Sequence, residues 1–134
     1  MTLRYLLDTN IVSDLMLNPR GRVFERISEV GEASICTSII VAAELRFGAA
    51  RKNSPRLTAQ LETVIGAIEI VNLEAPVDTL YANIRSGLER LGQPIGGNDL
   101  LIAAHALAMN LTLITDNESE FARIGQLRIE NWIR

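Results

Sequence analysis

A chain of 134 residues, 48% hydrophobic and 22% charged, has the size of one compact domain that hides roughly two-thirds of its unfolded surface, so residues 1–134 are expected to form a single unit. No run nears the roughly 18 apolar residues of a membrane span, and the opening MTLRYLLDTN lacks the small-residue cleavage site of a secretory signal, so a cytoplasmic protein without membrane contact is expected. The single cysteine, Cys36, and the single histidine, His105, leave no internal disulfide and no Cys/His zinc cluster, and a net charge of −3 argues against gripping nucleic acid through bulk positive charge.

Leu3 to Leu7 reads as a buried strand, and Asp8-Thr9-Asn10 after it offers oxygens to cap a helix from Ile11 to Leu17. The turn Asn18-Pro19-Arg20-Gly21 precedes a second helix on which Val23, Phe24, Ile27 and Val30 recur at helical spacing up to Gly31. A second strand runs from Ala33 to Thr37, and Ser38 caps a helix to about Ala50. Past the basic, turn-rich stretch 51–56, Leu57, Leu61, Val64, Ile65 and Ile68 mark a fourth helix, and Ile68 to Leu73 a third strand. Val77, Leu80, Tyr81, Ile84, Leu88 and Leu91 draw an apolar stripe on the next helix. After a loop over 92–97, Asn98-Asp99 opens a helix to about Asn110. Leu111 to Thr115 forms a fourth strand ending at Asp116, and Leu127 to Ile133 a fifth, at an edge.

Strands alternating with helices of this length make an α/β fold with a five-stranded, mainly parallel sheet flanked by helices, because parallel strands need crossovers that place helices on both faces. In such sheets the site lies at the carboxyl ends of the strands, where strand order reverses. Aspartate is scarce, five residues against eleven glutamates, yet Asp8 and Asp116 end strands and Asp99 opens the helix that leads into the fourth.

Glu44 lies mid-helix with Ile40, Val41, Phe47 and Gly48 three and four residues away, and Asp99 has Ile102, Ala103 and Ala106 along its own face, so both carboxylates are expected to rise from apolar stripes. Each aspartate singly is also consistent with a helix cap or first-turn residue. Together they are harder to place: carboxylates about 4 Å apart repel by roughly 4 kcal/mol at an effective dielectric of about 20, and none of the four segments offers a lysine or a histidine beside them. A divalent cation is the economical counter-charge, and an all-oxygen donor set suits Mg²⁺ or Mn²⁺ better than zinc.

The stretches Leu-Leu-Asp-Thr-Asn (6–10), Ala-Ala-Glu-Leu-Arg-Phe-Gly (42–48), Pro-Ile-Gly-Gly-Asn-Asp-Leu-Leu-Ile-Ala-Ala-His-Ala (94–106), Leu-Ile-Thr-Asp-Asn-Glu-Ser-Glu-Phe (113–121) and Leu-Arg-Ile-Glu-Asn-Trp (127–132) resemble the PIN-domain ribonucleases, in particular the VapC/FitB-type toxins of bacterial toxin–antitoxin pairs. The resemblance implies a PIN-like three-layer sandwich, Mg²⁺-dependent cleavage of RNA, and a cognate antitoxin that carries any contact with operator DNA. It carries the four acidic positions onto Asp8, Glu44, Asp99 and Asp116 as catalytic and metal-binding residues. In many of the relatives it implies, asparagine stands at the last position and a later glutamate acts in its place, which brings Glu120 forward as an alternative ligand.

Asn10, Thr115 and, beside them, Thr9 and Asn117 flank the acidic positions and suit either the holding of waters and substrate or ordinary turn and cap chemistry. Arg85 can reach a phosphate or pair with Glu89 one turn on, and Arg46, Arg51, Lys52 and Arg56 can guide RNA or stand solvated. His105 and Cys36 are expected to be structural. The lone Lys52 is misplaced for a phosphoacceptor receiver domain, and Asp8-Thr9-Asn10 lacks the second acid of a haloacid-dehalogenase-type phosphatase. The remaining alternative is a catalytically silent protein-binding module. The broad stripes over 57–68 and 77–91 also leave apolar surface for a homodimer.

Overall fold

The computed structural model describes residues 2–134. Five strands, β1 (Tyr5–Leu7), β2 (Ile35–Ser38), β3 (Glu69–Val71), β4 (Thr112–Ile114) and β5 (Ile129–Glu130), form one all-parallel sheet in the order β3-β2-β1-β4-β5. The chain steps outward from β1 to β2 and β3, returns to the other side of β1 as β4, and continues to β5. Strand order therefore reverses between β1 and β4, and their carboxyl ends open the crevice in which such sheets place their sites.

Helices α1 (Thr9–Leu17), α2 (Arg22–Val30), α3 (Ile39–Lys52), α4 (Pro55–Gly66), α5 (Val77–Arg90), α6 (Gly97–Ala108) and α7 (Glu118–Phe121) connect the strands. The three central strands are buried almost throughout, with Leu6, Leu7, Cys36, Leu113 and Ile114 fully enclosed, as a sheet covered on both faces requires. Ile11, Val12, Ile102, Ala103 and Phe121 bring the helices onto that core. Both edges are short: β3 exposes Glu69, and β5 has two residues, which leaves little backbone free for pairing with another sheet.

The architecture follows the expectation from the sequence, with local differences that have physical causes. Helix α1 begins two residues earlier than expected because Asp8 itself is the cap, its side chain accepting from the Thr9 N–H at 2.8 Å. Ala33 and Ser34 belong to a 3₁₀ turn (Glu32–Ser34) ahead of β2, with the Ser34 hydroxyl donating to the Gly31 carbonyl at 2.7 Å. The fifth strand shrinks from the expected 127–133 to two residues, since Trp132 leaves the ladder to bury its ring edge-on to Tyr5, 5.1 Å between centroids. Helix α7 escapes sequence reading: it is a single turn with one buried residue, Phe121, too short to show a period. No helix among the described residues is long and apolar enough to cross a membrane.

Candidate active site

Asp8 stands at the end of β1 and is 3% exposed. Its carboxylate accepts from the Thr9 N–H, from the Thr115 hydroxyl at 2.7 Å and from the Asn10 amide at 3.3 Å. Burial pushes its pKa up, against the pull of these bonds, and the charge of Glu44 adds to the rise. The Thr115 hydroxyl also accepts from the Asn117 N–H at 3.0 Å, while the Asn10 side-chain oxygen accepts from the Asp116 N–H at 2.9 Å. The ends of β1 and β4 are thus stitched together by side chains as well as by the sheet.

Glu44 reaches the same crevice from the second turn of α3. One oxygen accepts from the Thr9 hydroxyl at 2.6 Å and the other from the Asn98 amide at 3.3 Å. Its surroundings are more open than the stripe argument requires: Val41 is buried, but Phe47 is 65% exposed and Glu44 itself is half-buried.

Asp99, in the first turn of α6, carries the strongest perturbation among the carboxyls. Burial, then a hydrogen bond to Glu120 and the charges of Glu120, Asp8 and Glu44, push its pKa up to about 7. Glu120 is moved the other way: burial alone would raise it, but hydrogen bonds from the Asn117 amide at 2.7 Å, from Asp99 and from the Gly96 N–H, with the charge of Arg123, leave it below its ordinary value. The opposed shifts mark Asp99 as the carboxyl of the pair that binds a proton more readily, with Glu120 the one that keeps its charge.

The structure therefore brings Asp8, Glu44, Asp99 and Glu120 together and orients them with Thr9, Asn10, Asn98, Thr115 and Asn117. Asp116 sits beside them in the chain, but its carboxylate accepts from the Asn131 amide at 2.9 Å and pairs with Arg134 at 3.3 Å. Arg85 stays on α5, where it donates to Glu89 at 2.9 Å and lies over the Tyr81 ring. Arg46 pairs with Glu62, and Arg51 lies over Phe47. Asn98, Asn131 and Arg123 are the neighbours that sequence reading did not single out. The only signal for Asn98 is its place before Asp99, and the other two come near the site through folding alone.

The donor set fits a hard divalent cation. All the groups are oxygens, and burial with the neighbouring carboxylate charges pushes the Asp99 carboxyl up, the usual response of crowded carboxyls that lack a counter-cation. Among the described residues no three carboxylate, histidine or cysteine side chains stand close enough to share an ion without moving.

A five-stranded parallel sheet with carboxylates gathered at its order reversal is the layout of a PIN domain, and the PIN domain family model matches residues 5–127. The chain is 37% identical over 130 residues to ribonuclease VapC2 of Rickettsia felis, covering 96% of this chain and 97% of the relative. It is 35% identical over 131 residues to the tRNA(fMet)-specific endonuclease VapC of Shigella flexneri, covering 97% and 98%. The crystal structure of VapBC2 from Rickettsia felis bound to a DNA fragment from their promoter superposes with a TM-score of 0.88 at 36% identity, over 98% of this chain and 99% of that one. The chain belongs to the PIN-domain family, among its VapC ribonucleases.

Proposed function

We propose that this chain is a divalent-metal-dependent endoribonuclease, with Mg²⁺ as its ordinary ion and Mn²⁺ as a substitute, and that residues 1–134 work as one PIN domain, the toxin half of a toxin–antitoxin pair. The observation that carries the reading is the gathering of Asp8, Glu44, Asp99 and Glu120 at the order reversal of a VapC-family sheet, with Asp8 and Glu44 already oriented by Thr115, Thr9 and Asn98. A bound divalent ion would supply Lewis-acid activation of water and neutralise the charge that grows on a phosphodiester during in-line attack.

The chain's own residues prepare that chemistry. Asp8, Glu44, Asp99 and Glu120 would hold the ion, with Asp116 in reserve one residue past Thr115. Thr115 and the Thr9 N–H aim the Asp8 carboxylate, and Thr9 and Asn98 aim Glu44, so two of the ligands are oriented before anything binds. A cation held there would compete with the proton that Asp99 binds, so its binding would tighten as pH rises toward about 7. Arg123, which donates to the Pro94 carbonyl at 2.9 Å, is the cation that acts on Glu120 and stands ready for a phosphate.

For partners, relatives of this chain occur in VapBC complexes, and a cognate antitoxin that also carries the contact with operator DNA is proposed here. A groove of about 300 Å³ between α1, α3 and α4, lined by Met16, Leu17, Leu57 and Leu61, opens at Glu44, so a peptide lying in it could present an arginine to the acidic cluster in place of the ion. A homodimer would use the apolar surface left on the helices.

The test is cleavage of defined RNAs, an initiator tRNA among them, by the purified chain with Mg²⁺, with Mn²⁺ and with EDTA. Cleavage that EDTA abolishes and Asp8→Asn prevents is expected. Tight binding of an antitoxin by a chain that cuts none of the RNAs would make it a silent binding module instead.

A further inference from the structure

His105 lies in the last turn of α6, six residues past Asp99, and is 1% exposed. Its Nδ1 lies 2.8 Å from the hydroxyl oxygen of Ser38, itself fully buried at the end of β2. That same oxygen accepts from the Ile40 N–H at 3.1 Å and so caps α3. The Ser38 hydroxyl proton has no other acceptor among the described residues, so the arrangement that satisfies it is donation to an unprotonated Nδ1, with the ring proton on Nε2. Nε2 has no partner of its own, although the Asn72 backbone lies near, and the ring borders a cavity of about 350 Å³ that also meets Asn72, Glu74 and Met109. The ring is enclosed, and among the described residues the hydrogen bond to Ser38 is the side-chain contact that sets its place. Burial holds the ring below the usual imidazole range, which keeps it neutral and Nδ1 able to accept.

The two groups this bond joins belong to the two helices that carry Glu44 and Asp99. We propose that His105 is a positioning residue for the acidic site: by accepting the Ser38 proton it locks the first turn of α3 against the flank of α6, and so fixes the spacing at which Glu44 and Asp99 can share a cation. The mechanical argument is short. Glu44 is fewer than two turns from the capped end of α3, and α3 packs directly on α6, so a slip at the cap is carried to Glu44 with little chain in between to absorb it. Because the carboxylates must already move to meet an ion, the slack between the helices adds directly to the cost of closing on it.

This inference rests on the metal-dependent reading above, and the experiment separates the two. Mg²⁺ and Mn²⁺ are titrated into the purified chain while the melting temperature is followed, for wild type, His105→Leu, His105→Asn and Ser38→Ala. Asparagine places an amide oxygen near Nδ1 and restores the acceptor; leucine fills the space without one. We expect the ion concentration at half-maximal stabilisation to rise about tenfold in His105→Leu and Ser38→Ala and to return to within about threefold of wild type in His105→Asn. In cleavage assays the ion needed for half-maximal rate should rise by the same factor, with KM for RNA unchanged.

Ion midpoints within about twofold of wild type in both His105→Leu and Ser38→Ala, even with a lower melting temperature, would overturn the proposal and leave His105 a packing residue. If His105→Leu does not fold, His105→Ala decides by the same criterion, since Ser38→Ala also deletes the cap on the Ile40 N–H. A wild-type chain that neither ion stabilises overturns the metal reading and this inference with it.

Discussion

The carboxyl ends of β1 and β4 are neighbours in the sheet, with an aspartate one residue past the first and two past the second, and the two aspartates meet different fates. Asp8 is buried and turned into the crevice, caught by Thr9, Asn10 and Thr115. Asp116 is turned toward the C-terminal segment, caught by Asn131 and Arg134, while Glu120, four residues on, takes the place beside Asp99. The register explains the difference. Asp8 directly follows the last residue of β1, whereas β4 spends one residue more, Thr115, whose hydroxyl is the one that points at Asp8. A strand end marks where a site lies, and the side chains around it decide which carboxylate enters.

Substitutions can break that contrast, and the largest effects should come from its buried side. Asp8→Asn and Asp99→Asn should each lower RNA cleavage by about a hundredfold or more, because each removes a charge from the carboxylates proposed to hold the ion. Asp99→Asn should leave the metal-free protein as stable as wild type or more so, since it relieves repulsion among the carboxylates; circular dichroism melts check this.

Glu120→Gln set against Asp116→Asn sharpens the comparison directly. With Glu120 facing Asp99, its loss should cost about tenfold or more in ion affinity, and the loss of Asp116 less. The reverse order in a Mg²⁺ titration would show that the Asn131 and Arg134 contacts open and Asp116 swings in when the ion binds.

The pH dependence follows from Asp99. Its carboxyl is raised from 3.8 to about 7 on folding, so the folded chain keeps a proton that the unfolded chain releases. The metal-free protein should be most stable at pH below 3.8, as far as this group is concerned, and lose that contribution as pH rises toward about 7; above that the loss is complete and constant. Melting temperatures across this range should show the decline in wild type and a flatter profile in Asp99→Asn. Adding Mg²⁺ should reverse the decline at the upper end, because the ion takes over the role of the proton.

Thr115→Val deletes a buried hydrogen bond to Asp8 while keeping the shape, and should cost roughly 1–2 kcal/mol of stability with a smaller loss of activity than Asp8→Asn. The smallest effect is expected at Arg85, which is exposed and engaged only with Glu89 and Tyr81: Arg85→Ala should change cleavage by less than about twofold, and a larger loss would put RNA on α5.

The alternation of short apolar runs with amphipathic stripes was enough to set the α/β class, because burial on both faces leaves parallel strands continuously apolar and their crossovers helical. The order of four acidic motifs was enough to point to the family. The sequence also marked the crevice where the carboxylates gather, since Asp8 and Thr115 sit at strand ends, where chain chemistry changes abruptly from apolar to polar. What lay beyond it was side-chain direction: that Asp116 turns to Asn131 and Arg134, that Glu120 turns to Asp99, and that Asn98 reaches Glu44 on another helix. These depend on contacts between residues far apart in the chain, from the 15 positions separating Asn131 from Asp116 to the 54 separating Asn98 from Glu44. No local pattern encodes such pairings, because a carboxylate takes whichever donor the packed helices bring to it.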